Sequence, residues 1–231
     1  MSISERLSLV REKVAEAARR SGRESQDVDL LVVSKTWPAE TVREVVEAGQ
    51  LLFGENKLQE GELKVPVLPS NLEWHFIGTL QRNKVRKVLP LFQVIHSLSS
   101  IKLCRFTDRV AGELEIRPHV FLELNLGEEE SKHGFSKSEL LSSLDEICAL
   151  EHLNWRGLMC IPPRVENAEA ARPWFAQLRE FQDEIRQRSG LSLPAISMGM
   201  SGDYEIAIEE GSTTVRVGSA IFGPRNYPTP S

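Results

Sequence analysis

Short apolar runs alternate with amphipathic stretches along most of the chain. Such runs are typical of strands buried on both faces, and the stretches between them have the apolar spacing of helices. The predicted strands are Leu30–Ser34, Leu51–Phe53, Trp74–Ile77, Val94–Ser97, Val120–Asn125, Trp155–Met159, Ala195–Met198 and Thr214–Val217. The predicted helices cover residues 39–49, 56–64, 82–90, 100–115, 137–150, 167–189 and 201–210, with a short turn from Ser219.

This alternation predicts parallel strand pairing, because each strand is followed by a helix that returns the chain to the same edge of the sheet. Eight such units in about 200 residues fit a (β/α)8 TIM barrel. An extra amphipathic helix over residues 3–21 precedes the first strand and ends at Gly22. A doubly wound open sheet is the alternative with the same alternation. We expect residues 1–231 to form one domain with a short irregular tail at 224–231.

Composition narrows the class of protein. The chain has 231 residues, 41% of them hydrophobic, and a formal net charge of -5, which argues against a general nucleic-acid binder. The amino terminus has no apolar signal-peptide core, and no run is long enough to span a membrane. The three cysteines are widely spaced, which argues against a disulfide framework or a zinc site. We expect a cytoplasmic protein without a resident metal.

Candidate chemistry lies at the carboxyl ends of the strands, where barrel enzymes place their active sites. Lys35, after the first strand, is the only lysine in this set. The residues that end or follow the eight predicted strands are Ser34 and Lys35; Gly54, Glu55 and Asn56; Ile77, Gly78 and Thr79; His96 and Ser97; Asn125; Met159; Gly199, Met200 and Ser201; and Gly218 and Ser219.

The turns after the last two strands predict an anion site. The segments MGMSGD (Met198–Asp203) and GSTTVRVGSAIFG (Gly211–Gly223) each join a strand to a Gly- and Ser-containing turn and a helix start. Free backbone N–H groups and the helix dipole favour a phosphate at such a place, which is the usual phosphate site of this fold. Ordinary turn chemistry is the alternative, since Gly-Ser turns are common.

Two cations need partners near this site. Arg216 lies in VRVG, and if Val215 and Val217 face the helices, its guanidinium faces the barrel interior. Its partner is either a carboxylate, for example Glu55, or a ligand. Lys35 is either a solvated lysine at a strand end or a lysine that forms a Schiff base. A phosphate site beside a Schiff-base lysine indicates pyridoxal 5′-phosphate (PLP) or a phosphorylated sugar in a class I aldolase.

Seven segments resemble the pyridoxal-phosphate homeostasis protein family, from about residue 5 to Arg225. They are VSKT (Val33–Thr36), FGEN (Phe53–Asn56), WHFIGTLQRNK (Trp74–Lys84), IHS (Ile95–Ser97), RGLMCIP (Arg156–Pro162), SMGMSGD (Ser197–Asp203) and GSTTVRVGSAIFG. The resemblance implies a barrel like the N-terminal domain of alanine racemase, and a protein that keeps PLP bound and available in vitamin B6 and amino-acid homeostasis.

The resemblance also implies the roles of individual residues. PLP would be held as an internal aldimine on Lys35, with its phosphate on Ser201, Gly218 and Ser219 and with Arg216 at the pyridine nitrogen. The residues that would line the ring pocket are Asn56, Ile77, Ser97 and Met159. We expect no membrane or nucleic-acid partner, a monomer, and apo forms of PLP enzymes as transient recipients of the cofactor.

Strong catalysis is not expected. An arginine at the pyridine nitrogen can only donate, which leaves the ring a weaker electron acceptor than a pyridinium. Related racemases add a tyrosine base from a second domain, whereas here the only tyrosines are Tyr204, after the phosphate turn, and Tyr227, in the tail. We expect a non-catalytic PLP-binding protein, and the alternative is a racemase-like enzyme of low activity.

Four further residues have alternative interpretations. Trp37 either covers the pocket or packs on the first helix, and packing is the preferred interpretation. Lys132, in the acidic loop after the fifth strand, is either a mobile surface residue or a second acceptor of the PLP aldehyde. His75 and His96 are interpreted as hydrogen-bonded barrel residues, because no His, Asp or Glu cluster has metal-site spacing.

Overall fold

Eight parallel strands close into a barrel in sequence order, and the last pairs with the first. The computed structural model describes residues 1–129 and 132–224. The strands are β1 (Asp29–Val33), β2 (Leu52–Glu55), β3 (Glu73–Phe76), β4 (Val94–Leu98), β5 (His119–Leu124), β6 (Asn154–Cys160), β7 (Ala195–Met200) and β8 (Thr214–Val217). The predicted barrel is therefore confirmed, and the open sheet is excluded.

Helices connect the strands and cover the outside of the barrel. They are α1 (Ile3–Arg20), α2 (Ala39–Glu47), α3 (Leu58–Lys64), α4 (Val85–Val88), α5 (Ile101–Glu113), α6 (Lys137–Ser142), α7 (Leu144–Cys148), α8 (Arg172–Ser189), α9 (Tyr204–Glu209) and α10 (Ser219–Phe222). None of the helices in the described ranges is long and apolar enough to cross a membrane.

Alternation along the strands separates two apolar layers. Val215 and Val217 belong to the large core between the strands and the helices, so the parity predicted for β8 is confirmed. A second, small cluster fills the barrel interior, made of Val94, Phe121, Met159 and Ala195. Burial of both layers supplies the main driving force for closing the sheet. The interior at the carboxyl ends of the strands, which we call the mouth of the barrel, is left for polar side chains.

The first helix, α1, is bound to the last helices of the barrel. Ser2 and Glu5 form a reciprocal capping box at its start, and its apolar side packs against α9 and α10. Arg6 donates from Nε to the carbonyl of Ile221 (2.5 Å) and from Nη2 to that of Phe222 (3.2 Å). Because these carbonyls end α10, the guanidinium satisfies acceptors that the helix itself leaves unpaired.

Two predicted helices differ from the observed ones. Residues 82–90 form only a 3-10 turn at Arg82–Lys84 followed by the single turn α4. The stretch 137–150 is divided into α6 and α7 around Ser142 and Ser143, whose hydroxyls both donate to the carbonyl of Glu139 (2.9 and 2.8 Å). Serine hydroxyls compete in this way with the backbone ladder of a helix. Tyr227 and the rest of the tail at 225–231 lie outside the described residues.

Candidate functional site

The chain makes a sharply defined turn directly after β1, and Lys35 lies in it, partly buried. Thr36 has a left-handed backbone with φ of 70°, and its N–H donates to Glu60 Oε2 at 2.5 Å. The N–H of Trp37 closes the turn on the carbonyl of Ser34 at 3.1 Å. A non-glycine residue in the left-handed region costs about 1–3 kcal/mol, so these bonds hold the backbone beside Lys35 in a conformation that it would not otherwise favour.

A buried polar cluster supports this turn from below. Ser34 donates from Oγ to Glu55 Oε1 at 2.7 Å, while Lys64 donates from Nζ to the carbonyl of Ser34 at 2.9 Å and to Glu55 Oε1 at 2.6 Å. Burial raises the pKa of Glu55 to about 7, against the opposing attraction of the Lys64 ammonium. Glu55 therefore pairs with Lys64, and its suggested pairing with Arg216 is wrong.

Arg216 points into the barrel interior, as its parity in β8 predicts, and is buried there. Its Nη1 donates to Ser197 Oγ at 2.7 Å and its Nη2 donates to the carbonyl of Cys160 at 2.9 Å. Burial lowers the pKa of the guanidinium, but an arginine still remains a cation at neutral pH. Both of these acceptors are uncharged, so the positive charge persists within the barrel.

Two histidines continue the polar interior below Arg216. His96 Nδ1 lies 2.9 Å from Ser197 Oγ, and His96 Nε2 lies 2.9 Å from His75 Nδ1. His75 Nε2 in turn lies 3.0 Å from Glu73 Oε1. The interpretation of both histidines as hydrogen-bonded barrel residues is confirmed. Across the residues that the structure describes, no group of His, Cys, Asp and Glu side chains has the arrangement of a metal site.

Besides Glu55 Oε2, three buried polar atoms at the strand ends have no hydrogen-bond partner within residues 1–129 and 132–224. They are Asn56 Oδ1 after β2, Ser97 Oγ in β4 and Glu123 Oε2 in β5. Burial raises the pKa of Glu123 to about 7, with Arg216 acting in the opposite direction. An unsatisfied buried polar atom costs about 1–3 kcal/mol, so three of them near the mouth indicate a place shaped for a polar ligand.

The wall positions Ile77 and Met159 lie on the same inner surface. Ile77 Cδ1 lies 3.2 Å from where a Cβ on Gly54 would be, and Met159 belongs to the interior apolar cluster. A Cβ on Gly78 would lie 1.9 Å from the carbonyl oxygen of Asn56. Only a glycine fits there, and this close approach holds the backbone of Asn56 against the end of β3.

The turns after β7 and β8 meet at Ser201. Its Oγ accepts from the N–H groups of Gly218 (3.2 Å) and Ala220 (3.4 Å), at the start of α10. A Cβ on Gly218 would lie 3.0 Å from the carbonyl of Val33, the last residue of β1. The predicted phosphate residues Ser201, Gly218 and Ser219 are therefore brought together beside the strand that leads to Lys35.

Trp37 packs, as predicted, but on the last helix rather than on the first. Its ring stacks on Phe222 of α10, with centroids 5.4 Å apart. Trp37 follows Lys35 by two residues, and Phe222 follows Ser219 by three. The stacked pair therefore ties the lysine turn to the helix whose start carries the predicted phosphate residues.

Lys132 is held by its own loop and by the loop after β6. Its Nζ donates to the carbonyl of Pro162 at 3.0 Å and pairs with Glu129 Oε2 at 3.0 Å. It lines a cavity of about 200 Å³ at the mouth together with Thr79, Glu123, Leu124, Asn125, His133 and Ile161. A second aldehyde acceptor at Lys132 stays a prediction.

Sequence reasoning missed Glu123, Ser197 and the Ser34–Lys64 contact. Glu123 stands two residues from Phe121 and Asn125 in an otherwise apolar strand, so period two places it inside the barrel. That signal was available in the sequence. The Lys64 contact was not, because it joins a helix residue to a strand end by a bond that no local pattern indicates.

Comparison with known proteins agrees with this geometry. The family model described as "Alanine racemase, N-terminal domain" matches residues 7–226. The chain is 42% identical over 228 residues to the pyridoxal phosphate homeostasis protein of Aquifex aeolicus, covering 98% of this chain and 100% of the relative. It is 39% identical to the protein of that name from Escherichia coli, covering 97% of each.

Solved structures also superpose on this chain. PipY of Synechococcus elongatus without PLP superposes with a TM-score of 0.88 at 38% identity, covering 96% of this chain and 100% of PipY. PipY with PLP bound superposes with a TM-score of 0.86 over the same shares. Alanine racemase of Clostridium difficile, with a TM-score of 0.70 and 15% identity over 95% of this chain and 60% of its own, shares the fold.

The buried carboxyl of Glu123 predicts a pH dependence of stability. Its pKa is raised from 4.5 to about 7, so the folded state keeps a proton that the unfolded state loses. The contribution of Glu123 to the free energy of unfolding therefore falls as the pH rises from about 4.5 to about 7. In Glu123→Gln, the free energy of unfolding relative to wild type should rise across this window by up to about 3 kcal/mol. Urea unfolding of both proteins at several pH values measures this difference in the free energy of unfolding. A difference that stays constant with pH would contradict the prediction.

Proposed function

The chain belongs to the family of pyridoxal phosphate homeostasis proteins, and we propose that it binds PLP at the mouth of its barrel. The observation that carries the proposal is the convergence of three features at one end of the barrel. The turn with Lys35 is tied through Trp37 to α10, the serine and glycines of the last two turns meet at the start of that helix, and the buried cation Arg216 lies in the strand between.

The residues present fit PLP on physical grounds. The cofactor combines an anionic phosphate, an aldehyde and a flat aromatic ring with polar substituents. Backbone N–H groups and a serine suit the phosphate, a lysine suits the aldehyde, and the unpartnered Asn56 Oδ1, Ser97 Oγ and Glu123 Oε2 suit polar ring substituents. When bound, PLP supplies an electrophilic carbonyl and an electron-accepting ring.

Lys35 is proposed to attach PLP covalently. The amine of Lys35 would form a C=N bond to the aldehyde carbon as a Schiff base, with loss of water. The strained turn at Thr36 and its bond to Glu60 keep the backbone of Lys35 fixed, so little conformational entropy is lost on attachment. The Ser34–Glu55–Lys64 cluster supports the same turn from below.

Ser201, Gly218 and Ser219 are proposed to hold the phosphate. In the protein alone, Ser201 Oγ occupies the N–H groups of Gly218 and Ala220. A phosphate oxygen is a stronger acceptor for such N–H groups than a hydroxyl, and a serine hydroxyl can turn to donate to the anion. The exposed position of Ser219 leaves its hydroxyl accessible to the same anion.

The ring pocket is proposed to consist of Arg216 at the pyridine nitrogen and of the wall residues Asn56, Ile77, Ser97 and Met159. Arg216 stays protonated and can only donate, so a ring nitrogen bound to it would accept and would carry no proton. Such a ring withdraws electrons less strongly than a protonated one. Arg216 would thus favour holding the cofactor over transforming substrates on it.

We propose a role without strong catalysis, in intracellular vitamin B6 and amino-acid homeostasis. Tyr204 is buried in α9, and burial raises the pKa of its hydroxyl to about 12, so it is a poor base at neutral pH. The whole chain would act as one PLP-binding domain, as a cytoplasmic monomer that passes PLP to apo enzymes. A low-activity racemase is the second candidate, favoured by the shared fold alone.

The third candidate function is that of a Schiff-base aldolase acting on a sugar phosphate. The absorption spectrum distinguishes it from the first two. Purified wild type should be yellow or become yellow with PLP, with the visible absorption band of a protonated Schiff base. Lys35→Ala should lose that band and still fold, retaining weaker binding through the phosphate residues. A protein that stays colourless with excess PLP would contradict PLP binding, and a Lys35→Ala variant that fails to fold would show a structural role instead.

Turnover separates the carrier from the racemase. PLP-loaded protein incubated with L-alanine should form D-alanine no faster than free PLP, because the described part of the chain places its one tyrosine, Tyr204, in a buried helix. Chiral chromatography measures the product, and an authentic alanine racemase is the positive control. Rates on the order of 1 s⁻¹ or more, which are typical of enzymes, would overturn the non-catalytic assignment.

A further inference from the structure

A continuous line of side chains runs through the barrel from its lower end to Arg216. Glu73, half exposed, begins the line, and it passes through His75, His96 and Ser197. Every link is between 2.7 and 3.0 Å long. His96 is one of the residues at the strand ends, but none of the four side chains that lead up to Arg216 is among the residues expected or proposed to contact PLP.

The hydrogen bonds in this line have one consistent direction. Arg216 can only donate, so Ser197 Oγ accepts from it, and the serine proton then has His96 Nδ1 as its acceptor. An imidazole that accepts at Nδ1 carries its proton on Nε2, and His96 therefore donates to His75 Nδ1. By the same logic His75 donates from Nε2 to the carboxylate of Glu73.

The reverse direction requires one more proton at the lower end of the line. If His96 donated from Nδ1, its Nε2 would accept from His75 Nδ1, and a neutral His75 would turn a lone pair toward the carboxylate of Glu73. That arrangement needs a second proton, on His75 or on Glu73. The first direction needs no additional proton, because each ring N–H and the serine O–H has an acceptor in the line. The line ends on Glu73, and the hydrogen bond with His75 lowers the pKa of that carboxyl.

We infer that His96 and His75 are positioning residues for Arg216, acting through Ser197 in a one-way hydrogen-bond chain that ends on Glu73. In this hydrogen-bond chain each imidazole carries its one proton on Nε2. The chain keeps a lone pair of Ser197 Oγ turned toward Arg216, and the carbonyl of Cys160 holds the other guanidinium nitrogen. A guanidinium fixed at two nitrogens loses little freedom when a ligand binds. The consequence for PLP rests on the proposed function.

The tautomers are tested first in the protein without PLP. With ¹⁵N-labelled histidine, long-range proton–nitrogen NMR spectra near about pH 8 distinguish a protonated ring nitrogen from a bare one. His75 and His96 should both show a protonated Nε2 and a bare Nδ1, assigned by comparison with His75→Gln and with His96→Gln. A His96 protonated on Nδ1 would overturn the inference, whether or not the protein binds PLP.

A matched pair of variants tests the positioning role. In His75→Gln, the amide oxygen can accept from His96 and the amide nitrogen can donate to Glu73, so the chain is preserved. His75→Leu removes both groups and leaves the His96 Nε2–H without its acceptor. PLP affinity should fall about tenfold in His75→Leu and stay within about twofold of wild type in His75→Gln.

The ring nitrogen of bound PLP gives an independent readout. With ¹⁵N-labelled PLP, the pyridine signal should shift in His75→Leu and not in His75→Gln, since a purely structural loss would not act on that nitrogen. Equal affinities and equal ring signals in the two folded variants would overturn the positioning role. If wild type binds no PLP, the proposed function fails, and the histidine spectra alone decide the direction of the hydrogen bonds. The same spectra decide it if His75→Leu does not fold.

Discussion

A guanidinium buried inside a closed barrel is the constraint around which this site is organised. Arg216 cannot lose its charge, and the interior has to provide acceptors for its N–H groups. Neighbouring strands supply these acceptors from Ser197 and from the carbonyl of Cys160. Because both are uncharged, a cationic position persists at the base of the pocket, and a ligand that accepts a hydrogen bond there gains more than it would in water.

The pocket above that cation depends on elements far from it in sequence. Arg6 of α1 satisfies the last carbonyls of α10, and Trp37, just after Lys35, stacks on Phe222 of the same helix. The short helix is thereby held from two sides while its first N–H groups remain bound to Ser201. A four-residue helix would not be stable alone, so these tertiary contacts determine where its amino end lies.

Period-two and helical patterns were sufficient to predict the barrel, the parity of Arg216 and the place of Lys35, because these depend on local burial. The break between α6 and α7 was missed, since it arises from serine hydroxyls that compete with the helix backbone. Glu55, one of the partners considered for Arg216, pairs with Lys64 instead. Which of several buried charges meet depends on strand register and helix placement, and neither is encoded in a local pattern.

The proposed function depends most directly on covalent attachment of PLP at Lys35. Borohydride reduction of the loaded protein, followed by digestion and mass spectrometry, converts a Schiff base into a stable amine and locates it. A single labelled peptide containing Lys35 is the predicted result, and a minor second label at Lys132 would identify a secondary acceptor without affecting the claim. A label confined to other lysines, with Lys35 unmodified, would contradict it.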